Sequence, residues 1–188
     1  MNIVLASASP RRRELMNFIT EDFIAVSTDA DETLPNGIET KKASEYLSLV
    51  KAKSALADYP EDIVIGCDTI VVVDDIILGK PKDFEQCCDY IRLLSGRAHS
   101  VITGCTLIYK ESVVTFSVET EVHFRQLNET EIAQYASTDE PYDKAGGYAV
   151  QGKGALLIDK INGDYFNVVG LPVSRLNQEL ISFKNNFI

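Results

Sequence analysis

The chain has 188 residues and an apolar content of 45%, which is enough for a hydrophobic core in one domain or in two lobes that share a cleft. A formal net charge of -10 argues against a nucleic acid polymer or an anionic membrane as a partner, because both need a dominant basic surface. No apolar stretch reaches the roughly 18 residues of a membrane span and no signal-peptide pattern is present, so a cytoplasmic location is expected.

Alternating and helical patterns of apolar residues predict a mixed α/β chain. In chain order, they predict strands at 3–5, 23–28, 62–73, 76–79, 99–110, 113–127 and 155–165, and helices that begin at Pro10, cover 40–59, 82–94 and 128–137, and run from Pro172 to about 184. The order of the elements departs from strict βαβ alternation, and no linker or repeat divides them.

The cysteines lack the spacing of a zinc site and the density of a secreted disulfide scaffold. We therefore expect Cys67, Cys87, Cys88 and Cys105 to be reduced residues of the core.

The segment SPRRRE places three arginines at the start of a predicted helix. Ser9 is a good N-cap and Pro10 suits the first helical position, so the arginines at 11–13 fall in the first turn. Because this end of a helix carries a partial positive charge, guanidinium groups are disfavoured there by roughly 0.3–1 kcal/mol. The pattern indicates that an anion completes the arrangement.

Asp68 stands in the apolar run IVIGCDTIVVV, where a carboxylate needs a partner. This run and the following IILG predict a hairpin. If residues 74–75 form a two-residue turn, Thr69 pairs with Lys80. A longer loop or a bulge sets Asp68 across from Lys80 instead. In either register the acid and the amine lie close, an arrangement suited to activating water beside a phosphate. The alternative is a strand-end carboxylate that accepts hydrogen bonds from backbone amides.

The polar loop DADE, residues 29–32, carries carboxylates with no apolar neighbour to bury them. Such loops are usually only solvated, but magnesium in phosphate enzymes commonly uses one or two carboxylates together with substrate oxygens. Glu32 and Asp68 are the candidate ligands. Lys51 is a second candidate for a phosphate contact, although a helical lysine is more often a surface residue.

The segment EPYDKAGGYAVQGKGA, residues 140–155, is rich in glycine, which allows a ligand to approach the backbone closely. Within it, the Gln151 amide offers both a donor and an acceptor and is able to read the edge of a base. The alternative is a tight β-loop. The segment matches neither the Walker pattern nor the GxGxxG fingerprint, so those two nucleotide folds are disfavoured.

Five segments together resemble the Maf family of septum formation proteins and nucleoside triphosphate pyrophosphatases. They are LASASPRRRELM, DTIVVVDDIILGKP, LSGRAHSVITG, EPYDKAGGYAVQGKGA and INGDYFNVVGLP, which occur in this order across nearly the whole chain. The resemblance implies one domain of this type over residues 1–188. It also implies an inosine triphosphatase-like α/β fold, with an elongated mixed β-sheet, flanking helices and a cleft between two lobes.

The resemblance further implies hydrolysis of a nucleoside triphosphate between the α and β phosphates, which gives the monophosphate and pyrophosphate with a divalent metal, Mg²⁺ or Mn²⁺. By motif, the resemblance makes Asp68 the proton acceptor and Lys80 a phosphate contact. It places Ser7, Arg12 and Lys51 in the same cleft. Glu32, together with Asp68, would hold the metal. Arg12, Thr69 and Gln151 fall on positions linked in the family to a preference for dTTP and UTP.

Two other functions stay open at this point. One is a nucleotide-binding regulator of cell division whose hydrolysis is incidental, and the other is a house-cleaning enzyme that acts on modified pyrimidine nucleotides. The expected partner is in each case a small nucleotide, and the resemblance implies a homodimer as the usual assembly.

Overall fold

The structure is a computed structural model that describes residues 1–187. Its seven-stranded mixed sheet with flanking helices confirms the predicted α/β class. The strands are β1 (Ile3–Ala6), β2 (Ile24–Val26), β3 (Ile63–Val73), β4 (Ile76–Leu78), β5 (Ala98–Tyr109), β6 (Ser112–Phe124) and β7 (Ile158–Asn162). The helices are α1 (Pro10–Met16), α2 (Ala43–Leu56), α3 (Phe84–Leu94), α4 (Glu129–Ala136), α5 (Tyr165–Val169) and α6 (Val173–Phe187). The strand order is β2-β1-β3-β5-β6-β7, and β4 pairs with β3.

The predicted elements differ from the structure chiefly near the carboxyl end. The run predicted as a strand from 155 begins as a 3-10 helix at Lys153–Leu157, and only Ile158–Asn162 is extended. Helix α5 was not predicted, because its five residues are too few to establish a helical period. No helix in the described part of the chain is long and apolar enough to cross a membrane.

All four cysteines are buried and free, as predicted. The Sγ atoms of Cys67 and Cys105 lie 3.5 Å apart, and burial raises the pKa of the Cys105 thiol well above its usual value.

The chain divides into two compact units. The first contains residues 1–69, 103–118 and the chain from Gly170 on, and the second contains residues 70–102 and 119–169. The long strands β3, β5 and β6 each contribute residues to both units.

In the first unit, β1 lies between β2 and β3 and is parallel to both. Ala6, the last residue of β1, pairs with Val26 and with Gly66, so Asp68 on β3 extends past the end of β1. Helix α1 connects β1 to β2, whereas α2 connects β2 to β3 on the other side of β1. Ligands of open α/β sheets bind beyond the carboxyl ends of the strands, at the point where the strand order reverses. A site is therefore expected beyond the carboxyl end of β1, where Asp68 lies.

Helix α2 packs very closely on the sheet of the first unit. A Cβ atom on Gly66 or on Gly104 would overlap a backbone carbonyl oxygen of α2, that of Ser48 or Ser44 respectively. The buried hydroxyl of Ser48 also lies 2.8 Å from that of Thr106 on β5. Two glycines and one hydroxyl pair therefore fix the position of α2.

In the second unit, β3 and β4 form the predicted hairpin with a two-residue turn. Asp74 and Asp75 have φ angles of 50° and 59°, as a type I′ turn requires, and Val73 pairs with Ile76. The strand β4 ends at Leu78, so the ladder does not extend to Lys80. The observed pairs follow the register predicted for the two-residue turn, and the position of Lys80 beside Asp68 stays a prediction.

Candidate active site

Asp68 is buried in the interior of β3, with 8% of its surface exposed. Its Oδ1 atom lies 2.6 Å from Lys51 Nζ, and the same ammonium lies 3.1 Å from Glu32 Oε2. Lys51 is thus a bridge between two carboxylates, which gives Asp68 the partner that its burial demands. The alternative of a strand-end carboxylate held by backbone amides does not describe it.

The sequence of α2 explains why Lys51 points inward. Ala52 and Ala55 on this helix are buried, and the close approach at Gly66 brings the helix backbone against β3. The Lys51 side chain is only 13% exposed, so its ammonium reaches Asp68 with little access to bulk water. The prediction that Lys51 belongs to the site is therefore supported by its contact with Asp68, whereas the surface reading is wrong.

Arg12 is held by carbonyl and hydroxyl oxygens of the first unit. Its Nε donates to the Gly170 carbonyl at 2.8 Å, and Nη1 donates to the Cys67 carbonyl at 2.8 Å. Nη2 donates to Thr69 Oγ1 at 3.0 Å, and that hydroxyl lies 2.9 Å from Thr103 Oγ1. Carbonyl and hydroxyl oxygens therefore accept the side-chain N–H groups of Arg12, and the binding of an anion by the arginine cluster stays a prediction.

Ser7 and the helix start are organised by the same group of contacts. Ser9 caps α1 by accepting a hydrogen bond from the backbone N–H of Arg12 at 3.4 Å, as predicted. The buried Ser7 hydroxyl accepts from the Ser9 backbone N–H at 3.3 Å and from Arg12 Nη1 at 3.4 Å. The turn after β1 is therefore a preformed structure next to Asp68 on the sheet edge.

Lys80 and Gln151 belong to the second unit, and both are exposed. Lys80 follows β4, and Gln151 lies in a turn that precedes the 3-10 helix at 153–157. The predicted roles of both residues remain predictions.

The family follows from comparison with known proteins. The family model described as Maf-like protein matches residues 2–183. The chain belongs to the Maf family. This confirms the resemblance drawn from the five sequence segments.

Relatives of this Maf protein match it over almost their whole length. A protein of Clostridioides difficile (strain 630) is 46% identical over 96% of this chain and 94% of its own length. A protein of Thermosipho africanus is 44% identical over 94% of this chain and 90% of its own. Both are named dTTP/UTP pyrophosphatase. Among solved structures, the Ham1 protein of Staphylococcus aureus matches 66% of this chain and 72% of its own length at 14% identity, with a TM-score of 0.47.

The residues around Asp68 fit a divalent cation that takes part of its ligands from the substrate. Within residues 1–187, no cluster of three or more His, Cys, Asp or Glu side chains could hold a metal by itself. However, Glu32 and Asp68 converge on one ammonium, so two hard carboxylate ligands face a position that already holds positive charge. One or two carboxylates with phosphate oxygens and water are the usual magnesium ligands in such enzymes.

Some partners in this Maf protein left no signal in the sequence. The carbonyls of Cys67 and Gly170 hold Arg12, but a backbone acceptor is independent of residue type. Thr103 lies on β5, for which the sequence predicts a strand but no site residue.

A hollow of about 580 Å³ lies in the first unit and is lined by Arg13, Asp29, Tyr59 and their neighbours. It shares no lining residue with Asp68, Lys51 and Glu32.

Proposed function

We propose that this chain is a nucleoside triphosphate pyrophosphatase that converts dTTP and UTP, and modified pyrimidine nucleotides of the same pattern, to the monophosphate and pyrophosphate. The observation that carries the proposal is the buried Asp68 carboxylate bonded to Lys51 at the sheet edge. The names of relatives at 43–46% identity support the choice of substrate.

In the proposed mechanism, Asp68 accepts a proton from a water molecule, and the oxygen of that water attacks the α-phosphorus of the substrate. The bond to the bridging oxygen breaks, and pyrophosphate leaves. Lys51 holds the carboxylate in place by a hydrogen bond before the reaction and offers positive charge to phosphate oxygens during it. Ser7 and the first turn of α1 lie on the same edge, where hydroxyl and amide groups are able to bind the triphosphate.

Glu32 and Asp68 would hold the divalent metal, Mg²⁺ or Mn²⁺, through their carboxylate oxygens. When bound, such an ion neutralises phosphate charge and polarises the linkage that breaks. The Lys51 ammonium, which contacts both carboxylates, would add to the positive charge of the ion.

Substrate choice is assigned in this proposal to Arg12, Thr69 and Gln151. The hydrogen bond between Arg12 and Thr69 supports a joint role, because a change in one side chain alters the position of the other. Lys80 as a phosphate contact and Gln151 as the base reader enter through the resemblance alone.

The proposal includes a cytoplasmic location, which the four free cysteines support. It also includes a homodimer, which sedimentation of the purified protein would test.

The test is pyrophosphate release by the purified protein from dTTP, UTP, CTP, ATP, GTP and modified pyrimidine triphosphates, with Mg²⁺ or Mn²⁺ present. We expect kcat/KM for dTTP and UTP to exceed that for CTP by roughly tenfold or more, since cytosine reverses donors and acceptors on its edge. Tight binding of dTTP without catalytic pyrophosphate release would contradict the enzyme and favour a nucleotide-binding regulator.

A further inference from the structure

The turn around Gln151 is fastened on both sides by the side chains of Glu140 and Tyr135. Glu140 begins the preceding 3-10 region, and its carboxylate accepts hydrogen bonds from the backbone N–H groups of Lys153 at 2.8 Å and Gly154 at 2.9 Å. These amides stand two and three residues after Gln151. A carboxylate that accepts from two backbone amides is a strong and directional anchor.

A second anchor acts before Gln151. The hydroxyl of Tyr135 on α4 donates to Glu140 Oε1 at 3.1 Å and accepts from the backbone N–H of Ala149 at 3.3 Å. Tyr135 is 5% exposed, so these bonds form away from water. One connected group, Glu140 with Tyr135, therefore holds the backbone two residues before Gln151 and two residues after it.

The space around the Glu140 carboxylate is also tight. A Cβ atom on Gly152 would overlap Glu140 Oε2, and a Cβ atom on Gly154 would lie 2.5 Å from the Ala149 carbonyl oxygen. The two glycines thus allow the turn to close over the carboxylate. Gln151 itself is exposed, so a rigid backbone presents a side chain that the unit does not otherwise bury.

We propose that Glu140, together with Tyr135, is a positioning residue that sets base selectivity by holding the Gln151 turn in one conformation. This inference rests on the proposed function, because it assigns a cause to the preference for dTTP and UTP. An amide reads a base edge only if its donor and acceptor stay within hydrogen-bond geometry, and an unfixed turn loses that discrimination.

The experiment compares Glu140→Gln with the natural protein by the ratio of kcat/KM for dTTP to that for CTP. The amide keeps the size of the side chain but presents an NH₂ group to one backbone N–H, so one anchor bond is lost. We expect the ratio to fall about fivefold, as the loss of one hydrogen bond implies. Glu129→Gln is the matched control, since it removes a carboxylate of the same unit that pairs with Arg92 on the surface; its ratio should not change.

A double-variant cycle shows whether the effect passes through Gln151. In the Gln151→Leu background, Glu140→Gln should change the ratio no further, because the reader is already absent. An undiminished effect in that background, or an unchanged ratio in Glu140→Gln, would overturn the inference. If Glu140→Gln does not fold, Tyr135→Phe takes its place, as it removes only the hydroxyl that joins Ala149 to Glu140.

Hydrogen exchange gives a readout that does not depend on the substrate. Peptides covering 149–156 should exchange faster in Glu140→Gln than in the natural protein, and Glu129→Gln should leave them unchanged. Equal exchange in both variants would overturn the anchor itself. If the anchor is present but dTTP and UTP are not preferred substrates of the natural protein, the proposed function fails instead.

Discussion

At the scale of single residues, Asp68 carries the proposed chemistry. Asp68→Asn retains the shape of the side chain but cannot accept a proton, so turnover should fall by about 10²–10⁴-fold. Pyrophosphate release by the purified variant measures this. Asp62→Asn is the control, because Asp62 directly precedes β3 and its carboxylate accepts hydrogen bonds from the exposed Asn2. A folded Asp68→Asn protein with near-natural turnover would remove Asp68 from the mechanism.

Arg12 is predicted to matter for stability as well as for substrate. Arg12→Ala loses hydrogen bonds to two carbonyls and two hydroxyls in the first unit. Leaving these partly buried acceptors unpaired should lower the free energy of unfolding by about 1–3 kcal/mol. Arg13→Ala removes an exposed cation from the same short helix and should have little effect on stability. Urea unfolding without nucleotide tests both, and equal stability of the two variants would show that the Arg12 contacts contribute little.

At the scale of elements, the position of α2 decides the position of Lys51. Gly104→Ala forces a Cβ atom into the backbone of Ser44 and Glu45 at the start of this helix. The helix must shift, so we expect a loss of about 1–3 kcal/mol in stability and a marked loss of turnover. Gly79→Ala is the stability control, because no atom lies within 4 Å of the added Cβ. A Gly104→Ala protein as stable as Gly79→Ala would mean that α2 packs less tightly than described.

The elements themselves were largely predictable from periodicity, whereas the site was predictable only in part. The alternation along β6 and the helical spacing in α3 read directly from the sequence, since each buries one face. The apolar run at 155–158 was misread, because a short apolar run is compatible with either a strand or a helical turn. The pairing of Lys51 with Asp68 depends on how a helix packs against a strand, which local spacing does not contain.

At the scale of the whole molecule, the predicted single domain implies cooperative unfolding. The strands β3, β5 and β6 run without interruption from residues of one unit into residues of the other. A strand that loses its pairing in one unit should disturb the same strand in the other, so one two-state transition is expected. Calorimetry and far-UV circular dichroism should report the same midpoint. Two resolved transitions would contradict the single-domain prediction.

The stability of the whole molecule should also depend on pH through His99. This side chain is 4% exposed, its Nε2 lies 2.6 Å from the Tyr148 hydroxyl, and burial lowers its pKa from 6.5 to about 4. Because the unfolded chain takes up the proton first as pH falls, stability present above pH 6.5 should be lost progressively as pH falls toward 4.

A pKa depression of this size corresponds to a loss of roughly 3 kcal/mol over that range. His99→Gln keeps a polar group opposite Tyr148 but does not titrate, so its free energy of unfolding should vary less between pH 7.5 and pH 4.5. Urea unfolding of both proteins across this interval measures the difference. Parallel pH dependences would mean that His99 is protonated in the folded protein as readily as in the unfolded chain, and that other groups cause the loss at acid pH.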